Sequence, residues 1–187
     1  MSKKMLSIFA AVSVLAIPVV ASLSTESGLK IGETVTPFHP THVTGPLKGT
    51  KDCPPCTFGS RPQVQVWFNG QDDTKNLVLL TKQLDKEMKE NAASELKAFV
   101  IVLTDTPEET AKLLEAVAAR VKTDTVALAY LSKKDAAVSD YKVNVSADVK
   151  NTVFVYRDKK VSEKFVNLKA DEQGIADLGK AIDKITQ

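Results

Sequence analysis

The chain has 187 residues, with 25 lysines and arginines against 23 aspartates and glutamates, a length that suits one domain with a hydrophobic core of its own. Lys3 and Lys4 account for the whole excess. The remainder is charge-balanced and has no electrostatic footprint for nucleic acid or an anionic membrane.

Lys3 and Lys4 form a positive start, Met5 to Ala16 is an apolar run broken only by Ser7 and Ser13, and Val19-Val20-Ala21 follows Pro18. That layout is expected of a cleavable secretory signal over residues 1–21, with no membrane attachment once it is removed. The run is at the short limit for a membrane span, and the alternative is an uncleaved anchor. A chain exported to the periplasm or the extracellular space is free to oxidise its only two cysteines.

Residues 22–62 are rich in Thr, Gly and Pro and lack a helical period. They are expected to form an irregular extension of short extended pieces, Val35 to Phe38 and Lys48 to Lys51, around a turn at Gly45-Pro46. This extension bears His39, His42, Cys53 and Cys56 and is expected to pack on the domain formed by residues 63–187.

Gln63 to Phe68 reads as a strand ended by Asn69-Gly70. A helix is expected from about Thr74 to Asn91, with Leu77, Leu80, Leu84 and Met88 on one stripe and Asp72-Asp73 as its cap. Ala98 to Leu103 is a continuous apolar run, as in a strand covered on both faces. Thr106-Pro107-Glu108-Glu109 opens the next helix, with Thr106 as cap and Glu109 returning a bond to it. A strand at Val126 to Leu131 and a short helix at Ala136 to Tyr141 follow. The hairpin strands Thr152 to Arg157 and Val161 to Val166 precede a last helix from about Asp171 to Ile185. Alternating strands and helices predict an α/β fold with a mixed central sheet and helices on both faces.

This order resembles the redoxin branch of the thioredoxin superfamily, which holds exported TlpA-type reductases and peroxiredoxins. The likeness is carried by Gly28 to Gly32 with Val35, Pro37 and Phe38, by Val64 to Phe68, and by Asn151 to Asp158 with Lys160-Val161. It spans most of residues 28–187 and implies a thioredoxin-like fold. The chain is also similar to little-characterised exported bacterial proteins in which a Thr-Gly-Pro turn, here Thr44 to Pro46, and a Cys-x-x-Cys precede an Arg-Pro, here Arg61-Pro62.

Two departures from the branch bear on activity. Redox-active members carry their Cys-x-x-Cys after the first strand, where this chain reads Asn69 to Thr74 with no cysteine. Asn151 stands where the family places a cis-proline, and a cis bond before a non-proline residue costs about 3 kcal/mol or more, so a trans bond is expected. The usual catalytic end is therefore expected to be blank, and peroxidase activity is not expected, because no Thr-x-x-Cys is present.

What remains is Cys53-Pro54-Pro55-Cys56. Closing so small a ring removes only about 2 kcal/mol of unfolded-state entropy, against nearly 5 for a hundred-residue loop. As a structural staple it is poorly placed, which favours redox or metal chemistry. Three roles are open: a reversible dithiol/disulfide acting on a protein thiol partner, a static local disulfide, or a metal site. In the redox case the resemblance implies that Cys53 attacks and Cys56 resolves. No cofactor is implied by that reading. The alternative is a non-catalytic binding module with zinc or copper on His39, His42, Cys53 and Cys56, a set of two nitrogens and two sulfurs. Otherwise both histidines are surface residues of the arm.

Overall fold

Alternation along the strands decides which face of the sheet each residue serves. The computed structural model describes residues 25–187 except Asp72, so the expected signal and the capping role of Asp72 lie outside the described residues. The elements are β1 (Thr41–Thr44), α1 (Pro54–Phe58), β2 (Gln63–Phe68), α2 (Thr74–Glu90), β3 (Lys97–Thr104), α3 (Pro107–Val121), β4 (Ala127–Ser132), α4 (Ala136–Asp140), β5 (Asn151–Arg157), β6 (Lys160–Val166) and α5 (Glu172–Thr186). No helix among the described residues is long and apolar enough to cross a membrane.

Six strands form one mixed sheet in the order β1-β4-β3-β2-β5-β6. β2, β3 and β4 run parallel; β1, β5 and β6 pair antiparallel with their neighbours. β2 lies inside the sheet, and Val64, Val66 and Trp67 have no exposure at all. β3 reads as an apolar run because it is buried on both faces, by helices on one side and by α4 and the N-terminal section on the other.

Val64, Val66 and Phe68 on β2, with Val100 and Val102 on β3, face a core closed by α2, α3 and α5 through Leu77, Leu80, Leu84, Leu114, Leu178 and Ile182. Trp67, Phe99, Ile101, Leu103, Phe154 and Tyr156 face the other way. α4 covers part of that second face with Ala137 and Val138. The rest is covered by Leu29, Val35, Phe38, Leu47 and Phe58 from the N-terminal section. Phe38 packs at 5.1 Å from Trp67 and 5.3 Å from Tyr141, measured between ring centroids.

The expectation of an irregular extension misses two elements. β1 adds a sixth strand to the sheet at the β4 edge, and α1 is a short helix formed by the Cys-Pro-Pro-Cys segment itself. Gly28 and Gly45 let the section lie close to the domain. Both have positive φ, and a Cβ would meet Phe154 at 2.7 Å from Gly28 and the Val126 carbonyl at 2.6 Å from Gly45.

Two helix caps also differ from expectation. Asp73 and Thr106 occupy the cap positions of α2 and α3 but make no side-chain cap bond. The Thr74 hydroxyl donates to the Gln71 carbonyl at 2.8 Å, and the Thr106 amide donates to the Thr104 hydroxyl at 2.9 Å. Local sequence identified the right positions, but the bonds there fix the turn leading into each helix and do not cap its first-turn amides.

On α2, the buried Asp85 anchors the loop entering β4. Its carboxylate accepts from the hydroxyls of Thr123 at 2.6 Å and Thr125 at 2.8 Å, and from Lys89 at 2.6 Å. Burial pushes its pKa up, but the bonds from Lys89, Thr123 and Thr125 outweigh it and hold the group below the ordinary carboxylate value. Asp85→Ala is expected to lose about 2–3 kcal/mol in urea unfolding. The carboxylate's contribution is present above the ordinary pKa and is lost as pH falls through the lowered folded pKa, so the variant should show a smaller loss of stability on acidification than the parent.

Candidate functional site: the Cys53–Cys56 arm

The cysteine pair sits at the end of a small turn-back built by the arm. β1 pairs with β4, opposing Thr41 to Tyr130 and His42 to Ala129. After the turn at Gly45, the chain returns alongside β1: the His42 amide donates to the Thr50 carbonyl and the Gly49 amide to the His42 carbonyl, both at 3.0 Å.

Both histidines then act on the segment just ahead of Cys53. His39 Nδ1 lies 2.9 Å from the Lys51 carbonyl, and His42 Nε2 lies 3.0 Å from the Asp52 carbonyl. A carbonyl can only accept, so in both contacts the ring nitrogen is the protonated donor. His39 is exposed, but His42 is only 2% exposed, which corrects the reading of both as surface residues. His42 Nδ1 is buried without a partner.

Cys53 caps α1. Its carbonyl accepts from the amides of Cys56 at 3.1 Å and Thr57 at 2.9 Å, and its sulfur accepts from the Cys56 amide at 3.2 Å. Pro54 and Pro55 fill the first turn, where a helix has no internal use for amide hydrogens. The helix stops at Gly59, in the left-handed region with open space around it. Arg61 and Gln63 side chains then donate to the carbonyls of Phe58 at 3.1 Å and Gly59 at 3.0 Å.

Cys53 and Cys56 are joined as a disulfide, with Cα atoms 5.2 Å apart. Their exposure is unequal: Cys53 is 5% exposed, whereas Cys56 is open to solvent. Pro54, Pro55 and Phe58 are buried, so α1 turns its Cys56-Thr57 side outward. The pair lies toward the amino-terminal ends of the parallel strands: α1 leads directly into the start of β2, and its Phe58 packs 6.1 Å from Phe99 near the start of β3, between ring centroids.

The opposite end of the sheet carries a polar lattice in place of cysteine. Gln71 Nε2 donates to the hydroxyls of Thr110 at 2.7 Å and Thr106 at 3.2 Å, and Asn69 Nδ2 donates to the carbonyls of Ser146 and Val149. Asn151, 1% exposed, exchanges two bonds with the Leu168 backbone, donating at 3.0 Å and accepting at 2.9 Å. No cis peptide bond occurs among the described residues, in line with the trans bond expected at Asn151.

The four residues of the zinc or copper alternative share one arm. The sulfurs are bonded to each other, and each histidine has a ring nitrogen committed to a carbonyl. Among the described residues no group of three or more His, Cys, Asp or Glu side chains converges as a ligand set. The sequence shows His39-x-x-His42 as a pattern; the carbonyls that it grips are visible only in the fold.

Burial lowers the His42 pKa, against the opposing pull of the Asp52 carbonyl and carboxylate, and favours the neutral ring. The unfolded ring takes up a proton near pH 6.5 while the folded one resists it. The contribution of His42 is therefore complete above that pH and declines as pH falls toward the lowered folded pKa, by at most about 1.4 kcal/mol per pH unit. Urea unfolding at pH 7.5 and 5.5 should show this slope in the parent and a reduced slope in His42→Leu.

No family model matches the chain, and no curated protein matches its sequence. Solved structures do match. One assigned as the thiol:disulfide interchange protein DsbE of Chlorobium tepidum superposes with a TM-score of 0.63 at 13% identity, covering 85% of this chain and 99% of its own. The thioredoxin domain of a thiol-disulfide oxidoreductase from Bacteroides vulgatus gives 0.61 at 15% identity, over 85% of this chain and 99% of that domain. A secreted Mycobacterium tuberculosis disulfide oxidoreductase homologous to DsbE of E. coli gives 0.55 at 12% identity, over 79% and 95%. At these identities the likeness is one of fold, and the fold of this chain is thioredoxin-like.

Proposed function

We propose that this chain is an exported thiol–disulfide exchange protein acting on protein thiols through Cys53 and Cys56. The observation that carries the reading is a disulfide that opens to solvent at Cys56, on a thioredoxin-like scaffold whose usual catalytic end has no cysteine. The solved neighbours described as disulfide oxidoreductases, one of them secreted, support the chemistry and the compartment. The leader-like pattern of residues 1–21 supports export independently.

The mechanism follows from a small ring. Four residues hold the sulfurs together in either redox state, so bond opening needs no large chain movement. The fold is closed by its two cores, not by this bond. Zinc or copper on the reduced arm is the alternative. It would require both thiolates, with His39 Nε2 and His42 Nδ1, the ring nitrogens not engaged by the carbonyls of Lys51 and Asp52, turned toward them.

Equilibration of the purified chain in thiol–disulfide buffers, read by thiol alkylation and intact mass, tests the reading. The Cys53–Cys56 couple should titrate at a potential above about −300 mV, the region below which structural disulfides lie. The chain should also accelerate thiol–disulfide exchange in a model protein substrate, and a Cys53→Ser/Cys56→Ser double variant should not. A bond opened only by stronger reductants would mark a static staple. One equivalent of zinc or copper retained by the reduced chain would favour the metal alternative.

A further inference from the structure

We infer that Cys56, the second cysteine of the pair, is the sulfur that exchanges with the partner, and that Cys53 is the buried sulfur that leaves and returns. This rests on the redox reading and reverses the order that the resemblance implies. Thiol–disulfide exchange depends on which sulfur an incoming thiolate can reach. Cys53 is 5% exposed and Cys56 is exposed.

Three features keep Cys53 inward. The Asp52 carbonyl just before it is gripped by the buried His42. The two residues after it, Pro54 and Pro55, are buried and lack the freedom to swing the backbone outward. Its own carbonyl accepts two amide bonds that begin α1. Cys56 lies on the outward side of α1, with the exposed Thr57 beside it.

The exchange balances as follows. A partner thiolate attacks Cys56 Sγ, forming a mixed disulfide while the Cys53–Cys56 bond breaks. Cys53 Sγ takes the electron pair and leaves as a thiolate, already facing the Cys56 amide at 3.2 Å. A charge-assisted bond from that amide stabilises the leaving group. A second partner thiolate then attacks the partner sulfur of the mixed disulfide and releases the Cys56 thiolate. The partner dithiol is oxidised to a disulfide, its two electrons reduce the Cys53–Cys56 bond, and its two protons are available to the two new thiols. In the opposite direction, the Cys56 thiolate attacks a partner disulfide and Cys53 resolves the mixed species.

The test uses the full chain, reduced with dithiothreitol under native conditions and treated with limiting iodoacetamide, with peptide mass mapping of the label. Cys56 should be labelled at least tenfold faster than Cys53 in the folded protein, and the two rates should converge in urea. With glutathione disulfide as probe, Cys53→Ser should form a mixed disulfide at least tenfold faster than Cys56→Ser. Equal labelling, or Cys53 labelled first, overturns the inference and leaves the redox reading standing. A bond that dithiothreitol cannot open in the folded protein overturns the redox reading itself, and exchange at Cys56 with it.

Discussion

The requirement that shapes this molecule is the burial of the Trp67 face of the sheet. Trp67 sits on an interior strand with no exposure, 5.1 Å from Phe38 and 5.0 Å from Tyr141 between ring centroids. One short helix, α4, cannot cover that face alone. The N-terminal section supplies the remainder, with Leu29, Val35, Phe38, Leu47 and Phe58. Burial of each such side chain contributes roughly 1.5–3 kcal/mol, so the section is integral to the core. Its path across the sheet places β1 at the edge and delivers Cys53 and Cys56 to the end away from Asn69–Thr74.

The cover is tied down by polar bonds as well as apolar contacts. The Tyr141 hydroxyl donates to the Thr36 carbonyl at 2.6 Å, and burial pushes the pKa of that hydroxyl well up. The hydroxyls of Ser27 and Thr152 lie 2.6 Å apart across the same junction. At the far end, Gln71, Thr104, Thr106 and Thr110 join the β2–α2 loop to the start of α3. The two ends of the sheet thus have different chemistry. One is a lattice of hydrogen-bonded hydroxyls and amides, and the other presents a disulfide.

The regular elements were legible in sequence because burial marks them: a continuous apolar run for β3, buried on both faces, and a period of nearly four for α2 and α5. β1 and α1 were not. β1 is four residues with a register shift between His42 and Thr44, and α1 is five residues opened by two prolines, so neither is long enough to show a period. The caps failed for another reason. Asp73 and Thr106 have the right chemistry in the right place, but neither side chain bonds to the first turn of its helix. Cys53 and Cys56 stood out as the only cysteines, yet their unequal burial follows from contacts with distant residues that no local pattern encodes.

The span of the disulfide ties it to the rest of the molecule in a particular way. Cross-linked residues three apart constrain almost nothing beyond their own turn. By a thermodynamic cycle, whatever the bond adds to the fold, the fold adds to the bond, and for so small a ring the chain-entropy part is only about 2 kcal/mol. A long-range bridge couples electron transfer to global unfolding. This one uncouples them: opening it would leave the two cores and the six-stranded sheet as they are.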